Sequence, residues 1–245
     1  MATSRAQAQR LIASGVQWRV GRGAFERVSK NSEDLPVQAE LAVLDDAQAR
    51  YVSRGGLKLE GALQTAQWVP SAWRCLDVGQ STGGFTDCLL QQGAAQVVGL
   101  DVGHGQLNAR LRQDSRVVCL EGINARHVEA NDPRIPDAAL GFDLLVGDVS
   151  FISLTLVLPA LVPLLKADGR LLMLVKPQFE LQPQQIGKGG IVRDEALYPV
   201  VEQRLRQCCD ELGLVVVAWF DSPITGGDGN REFFIQAVRP QGQNL

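Results

Sequence analysis

Four residues of complementary charge, Lys58, Asp148, Lys176 and Glu232, stand far apart in this 245-residue chain, alongside a glycine-rich turn, Asp77-Val-Gly79-Gln-Ser81-Thr82-Gly83-Gly84. Two amines and two carboxylates gathered around an alcohol can draw off its proton and orient its oxygen, which water leaves almost wholly protonated. The turn is of the kind that lets a backbone approach a nucleotide-like ligand where a helix begins. Together they predict methyl transfer from S-adenosylmethionine to a ribose hydroxyl. Taken singly, each of the four reads as half of a surface salt bridge. Their shared position at the ends of strands is what argues for a site.

The turn narrows the cofactor. Its spacing is Gly79-x-x-x-Gly83-Gly84, so the dinucleotide fingerprint Gly-x-Gly-x-x-Gly is absent, and no Gly-x-x-x-x-Gly-Lys-Ser/Thr phosphate loop occurs. Gly79, Ser81, Thr82, Gly83 and Gly84 are therefore the expected contacts of S-adenosylmethionine. Asp77 is expected to orient this loop or the amino-acid end of the cofactor. Asp101 lies 22 residues beyond Gly79, at the end of the next strand, where a carboxylate can accept from both ribose hydroxyls. Asn124, past a strand candidate at Val117–Leu120, carries the amide donor and acceptor that an adenine edge requires. The alternative is a structural strand–turn–helix with a simple turn asparagine.

The positioning elements follow from the pattern of apolar runs. Cys75–Val78, Phe85–Gln91, Val97–Asp101, Phe142–Val146, Leu154–Leu165 and Arg170–Val175 alternate as strand and helix candidates. This βαβ rhythm predicts an α/β fold, a mostly parallel Rossmann-like sheet covered by helices, with ligands at the carboxyl ends of the strands. A helix over Glu195–Leu212, a strand over Leu214–Phe220, a turn at Gly226–Gly229 and a strand over Glu232–Val238 complete it, the last strand antiparallel. Asp148 and Lys176 then fall at the ends of adjacent strands, Glu232 starts the final one, and Lys58 precedes the first on a segment able to fold over that rim. Lys176 could take the proton as a neutral amine, or steady the developing alkoxide as a cation. Residues 1–50 read as a separate small segment with a short helix over 4–14, and residues 51–245 as the main domain.

Composition limits the partners. The net charge is −3, yet Arg5, Arg10, Arg19, Arg22, Arg27 and Lys30 face only Glu26 in the first thirty residues, which carry +5 and leave −8 for the remainder. A basic surface for RNA is thus expected around Arg5 and Arg10, and in two glycine-rich loops through Arg54, Lys188 and Arg193. Mobile solvated loops are the bland alternative. The odd count of five cysteines, without Cys-x-x-Cys and with only His104 and His127 nearby in type, favours neither disulfides nor a metal site. The longest apolar stretch, Phe151 to Leu165, is interrupted by Ser153, Thr155, Pro159 and Pro163, short of the ~18 residues of a membrane helix. With no secretory pattern at the start, the expected location is the cytoplasm.

Methylation of a base nitrogen usually displays an Asn/Asp-Pro-Pro-Tyr/Phe element after the strand that carries Asp148. Here the segment is Gly147-Asp-Val-Ser-Phe151-Ile-Ser153, which favours oxygen as acceptor and leaves Phe151 able to stack on a nucleobase. These segments, with Tyr51–Leu59, Asp77–Cys88, Leu174–Glu180, Gly187–Asp194 and Gly229–Phe234, resemble the TlyA family, ribosomal RNA 2′-O-methyltransferases related to FtsJ. The resemblance spans about residues 50–240. It implies cytidine ribose methylation in ribosomal RNA or ribosomal subunits, with Lys58, Asp148, Lys176 and Glu232 as the family's catalytic tetrad. The family begins with an S4-type RNA-binding domain, of which residues 4–15 read as a shortened remnant. Gln80 stands where the family usually has a small residue, and is expected to crowd the methionine end of the cofactor. A non-catalytic RNA-binding or ribosome-assembly protein and a hemolysin are the other readings.

Overall fold

The computed structural model describes residues 8–9, 12, 15–21, 23–28, 30, 32–43 and 50–241. The chain divides into two compact units, Met1–Arg54 and Gly55–Leu245. Arg5, Arg10 and most of the helix expected over 4–14 lie outside the described residues. In the first unit the apolar run from Val16 reverses near Gly21, at φ +62, into two strands, β1 (Val16–Arg19) and β2 (Glu26–Arg27). A third, β3 (Glu40–Val43), pairs antiparallel with the other edge of β1. The core of this unit is small, with Val16 and Val28 buried and Ile12, Trp18 and Leu35 packed against them.

The second unit opens with α1 (Gly55–Ala66) and continues through β4 (Arg74–Val78), α2 (Gly84–Gln91), β5 (Gln96–Asp101), α3 (Ala109–Arg112) and β6 (Val117–Glu121). It then runs β7 (Phe142–Gly147), α4 (Leu158–Leu161), β8 (Leu165–Val175), α5 (Pro177–Glu180), α6 (Tyr198–Glu211), β9 (Val215–Asp221) and β10 (Phe233–Val238). The seven strands order as β6-β5-β4-β7-β8-β10-β9. The sheet is parallel except for β10, which runs antiparallel to β8 and to β9. Strand succession reverses direction at β4, so the crevice outside β4 and β7 is where a ligand fits such a sheet.

Strands covered on both faces are expected to be mainly apolar, and these are, with Asp77 on β4 and Gln236 on β10 as buried polar exceptions. Leu76, Val98, Leu144, Leu145, Leu171 and Met173 are completely shielded from solvent, each contributing roughly 1.5–3 kcal/mol by burial. One expected element came out differently. Leu154–Leu165 is broken into a 3-10 turn (Leu154–Leu156), the single turn of α4 and a second 3-10 turn (Val162–Leu164). Pro159 and Pro163 have no N–H to donate, and their rings clash with the carbonyls of the preceding turn, so a continuous helix cannot form.

Candidate active site

The four charged residues form two ion pairs. Lys58 lies in the first turn of α1 and places Nζ 2.5 Å from Oε2 of Glu232, the residue before β10. Both side chains are buried. Lys176 follows β8 and Asp148 follows β7; Lys176 Nζ sits 2.5 Å from Asp148 Oδ1, off the line of a hydrogen bond, and donates to Ser150 Oγ at 2.8 Å. The register explains the meeting. Phe233 pairs with Val175, so the antiparallel β10 starts where β8 ends, and β7 lies on the other side of β8. Burial pushes the Glu232 carboxyl above its ordinary value, and Asp148 acts in the same direction, while Lys58 and Lys176 oppose them. Buried ion pairs repay their desolvation only where geometry is fixed, as it is here by strand ends.

Beside this rim lies a cavity of about 370 Å³, within the range of small-molecule sites. Gly79, Ser81 and Asp101 line one part; Asp148, Ser150 and Phe151 line another. Asp101 is held by two backbone donors, Ser81 N to Oδ2 and Gly103 N to Oδ1, both at 2.7 Å. Each oxygen keeps a further lone pair for a ribose hydroxyl. Gly79 has φ +79, and a Cβ there would stand 2.7 Å from the carbonyl oxygen of Asp148. Only glycine lets the turn pass so near the end of β7. Gly83, at φ +93, backs onto Leu107 and Leu111 and starts α2.

Residues 51–239 match the family model described as FtsJ-like methyltransferase. The chain belongs to the FtsJ-like methyltransferase family. A relative from Mycobacterium tuberculosis (strain H37Rv) named 16S/23S rRNA (cytidine-2'-O)-methyltransferase TlyA is 43% identical over 236 residues, covering 96% of this chain and 84% of its own. Hemolysin A of Brachyspira hyodysenteriae is 37% identical over 237 residues, covering 96% and 94%. Among solved structures, a hemolysin candidate from Streptococcus thermophilus aligns at TM-score 0.76 and 41% identity, over 98% of this chain and 86% of that one. An S-adenosylmethionine dependent methyltransferase from Mesorhizobium loti, 16% identical, shares the fold at TM-score 0.53, over 74% and 98%.

Within this FtsJ-like chain the expected cofactor residues separate into two groups. Gly79, Ser81 and Asp101 line the cavity. Asp77 lies behind the turn, fully buried, accepting from Thr86 Oγ1 at 2.6 Å and so tying β4 to α2. Burial raises its carboxyl to about 7, partly offset by the Thr86 hydrogen bond. Thr82, Gly83 and Gly84 shape the start of α2, and Thr82 lends its carbonyl to Asn108 N. Asn124 spends its side-chain oxygen capping the 3-10 turn Ala125–His127, where it accepts from Arg126 N at 3.1 Å. Ile123 and Ala125, its neighbours, are the ones that line the cavity.

Gln80 does not enter the cavity. Its side chain is 3% exposed, donates to Thr86 Oγ1 at 2.9 Å, and lies in the hollow left by Gly99 on β5, where a Cβ would come within 2.0 Å of Gln80 Cδ. The expected crowding of the cofactor is thus relieved by a glycine on the neighbouring strand. Sequence reading missed Ser150 and Gln106, which lines the cavity and accepts from Ser81 Oγ at 3.1 Å. It also missed Glu180, which is buried and accepts from Ser153 Oγ at 2.5 Å and Leu154 N at 2.8 Å, fixing the far end of the segment that carries Asp148 and Ser150. A carboxylate three residues beyond Pro177 was the available signal. Lys188 and Arg193 are exposed, on the loop before α6; Arg54 ends the first unit.

Proposed function

We propose that the protein transfers a methyl group from S-adenosylmethionine to the 2′-hydroxyl of a cytidine in ribosomal RNA, in the cytoplasm, acting on the RNA or on ribosomal subunits. The observation that carries this reading is the Lys176 amine, held between Asp148 and Ser150, two residues that also line the cavity containing Asp101. The names of the TlyA relatives supply the acceptor. Gly79, Ser81 and Asp101 would hold S-adenosylmethionine, whose sulfonium supplies the methyl group.

Lys176 presents its Nζ to the incoming hydroxyl and, as a cation, stabilises the oxygen while the hydroxyl proton passes to the neighbouring Asp148 carboxylate, 2.5 Å from that amine. Asp148 and Ser150 keep that amine in one place. The Lys58–Glu232 pair lies near enough that the Glu232 carboxylate feels both Asp148 and Lys176. Phe151, 89% exposed and packed on Phe179 with ring centroids 5.0 Å apart, offers a face on which the target base can stack. Its backbone is at φ +64, unusual for an aromatic residue and of the kind of strain kept at working sites. Lys188, Arg193 and Arg54, with the basic start of the chain as an S4-like segment, grip phosphates.

Incubation with labelled S-adenosylmethionine and unmodified ribosomal subunits tests this. Digestion of the RNA should release the label as 2′-O-methylcytidine; label on a base, or on protein alone, would contradict the proposal. The hemolysin name belongs to the relatives that bear it, and no helix among the described residues is long and apolar enough to cross a membrane.

A further inference from the structure

Two residues before Glu232 stands an asparagine whose hydrogen bonds reach in three directions. Asn230 is 2% exposed. Its Oδ1 accepts from Val192 N at 3.0 Å, and its Nδ2 donates to Gly190 O at 3.0 Å and to Asp228 Oδ2 at 2.9 Å. Its main chain takes part as well: the N–H donates to Asp228 Oδ1 at 3.0 Å, and the carbonyl accepts from Gly226 N at 2.9 Å.

These contacts join two loops with different tasks. Residues 187–191 close on themselves, Gly187 N to Ile191 O at 2.9 Å and Gly190 N to Gly187 O at 3.1 Å, leaving Lys188 exposed at the tip. The side chain of Asn230 grips this loop at Gly190 and at Val192. On the other side, Gly226 lies against the catalytic pair, since a Cβ there would stand 2.8 Å from Glu232 Oε1. Asp228 also accepts from Gln178 Nε2 at 3.2 Å, on α5 directly after Lys176. A displacement of the Lys188 loop therefore reaches both halves of the tetrad through one side chain.

We infer that Asn230 is a positioning residue that couples the Lys188 loop to the Lys58–Glu232 pair, so that RNA held at the loop sets the placement of Glu232. This rests on the ribosomal RNA reading above. An amide is the side chain that fits. Aspartate would withdraw both donors and set a second carboxylate against Asp228; the loss of either donor leaves a polar group unpaired, which the surroundings cannot absorb.

The experiment compares wild type, Asn230→Asp and the milder Asn230→Ser by two readouts. Amide hydrogen exchange without RNA should show protection falling in both 187–193 and 226–232 in the variants, while the 77–86 turn keeps its protection. In RNA methylation, kcat should fall on the order of 100-fold, as for a reacting group displaced by about 1 Å, with the Kd for S-adenosylmethionine unchanged. Lys188→Ala should lower kcat in wild type and have no further effect on kcat in Asn230→Asp. Loosening confined to 187–193, or independent multiplication of the two effects, would overturn the coupling. A wild type that methylates no RNA would count against the functional reading, and the exchange pattern would still decide the coupling.

Discussion

Gly79 and Asp148 approach so closely that a Cβ on the first would lie 2.7 Å from the carbonyl oxygen of the second. The contact is reinforced by Asp148 N donating to Val78 O at 3.0 Å. The glycine-rich turn and the residue that carries the Asp148 carboxylate are thereby joined through their backbones. Gly79→Ala should fail on two counts, a left-handed φ of +79 and a clash with main chain that has no rotamer to escape into. Calorimetry should show loss of S-adenosylmethionine binding, and thermal unfolding should show a destabilisation of about 1–3 kcal/mol. Normal cofactor affinity in this variant would mean that the turn is not the binding site.

The hollow at Gly99 predicts a rescue. Gly99→Ala sets a methyl 2.0 Å from the Gln80 carboxamide, which must leave its pocket, break its bond to Thr86 and shift the turn. Cofactor affinity should drop in Gly99→Ala and return in the Gln80→Ala/Gly99→Ala double variant. Additive losses would show that the two positions act independently.

Asp77 gives the fold a pH signature. Its carboxyl titrates at about 7 in the folded protein against roughly 3.9 in an unfolded chain. Between these values the folded state binds more protons, so this group's contribution to stability falls as pH rises from about 4 to about 7. Denaturant midpoints of wild type and Asp77→Asn, measured across that window, should converge at the acid end. Above pH 7 the variant should be relatively more stable, and parallel curves would refute the assignment.

Ser150 was invisible as a functional residue, and its removal is informative. Ser150→Ala takes away one of the two groups that fix the Lys176 amine. A hydrogen bond to a charged group predicts a fall in kcat of about tenfold, at the low end because the hydroxyl is exposed. The KM for S-adenosylmethionine should not change; a KM effect alone would place Ser150 in cofactor binding instead.

What could be read from the chain, and what could not, divides along the range of the interactions. Strand ends carrying Asp148, Lys176 and Asp101 were legible because buried parallel strands leave apolar runs, and a charged side chain stands where each run stops. Lys58 was expected ahead of the first strand without an element of its own; it lies in the opening turn of α1, and its partner Glu232 is 174 residues away. Gln80 was read by analogy as an obstruction, since nothing near it in sequence reveals that its room comes from Gly99. Asn124 illustrates the same limit: that its side-chain oxygen caps the turn after β6 is a property of the backbone there, which its residue type alone does not reveal. The breaks at Pro159 and Pro163 were legible locally, although the apolar period across them resembles a single helix.

Lys176 is proposed to act on the hydroxyl of a ribose. This is tested most directly by giving wild type and Lys176→Ala unmodified ribosomal subunits with labelled S-adenosylmethionine, then subjecting the RNA to alkaline cleavage. Wild type should yield one cleavage-resistant, labelled cytidine and Lys176→Ala a rate at least ~100-fold lower, while both proteins bind the cofactor equally. Methylation by the variant within about threefold of wild type, or label at a position that alkali still cleaves, would contradict it.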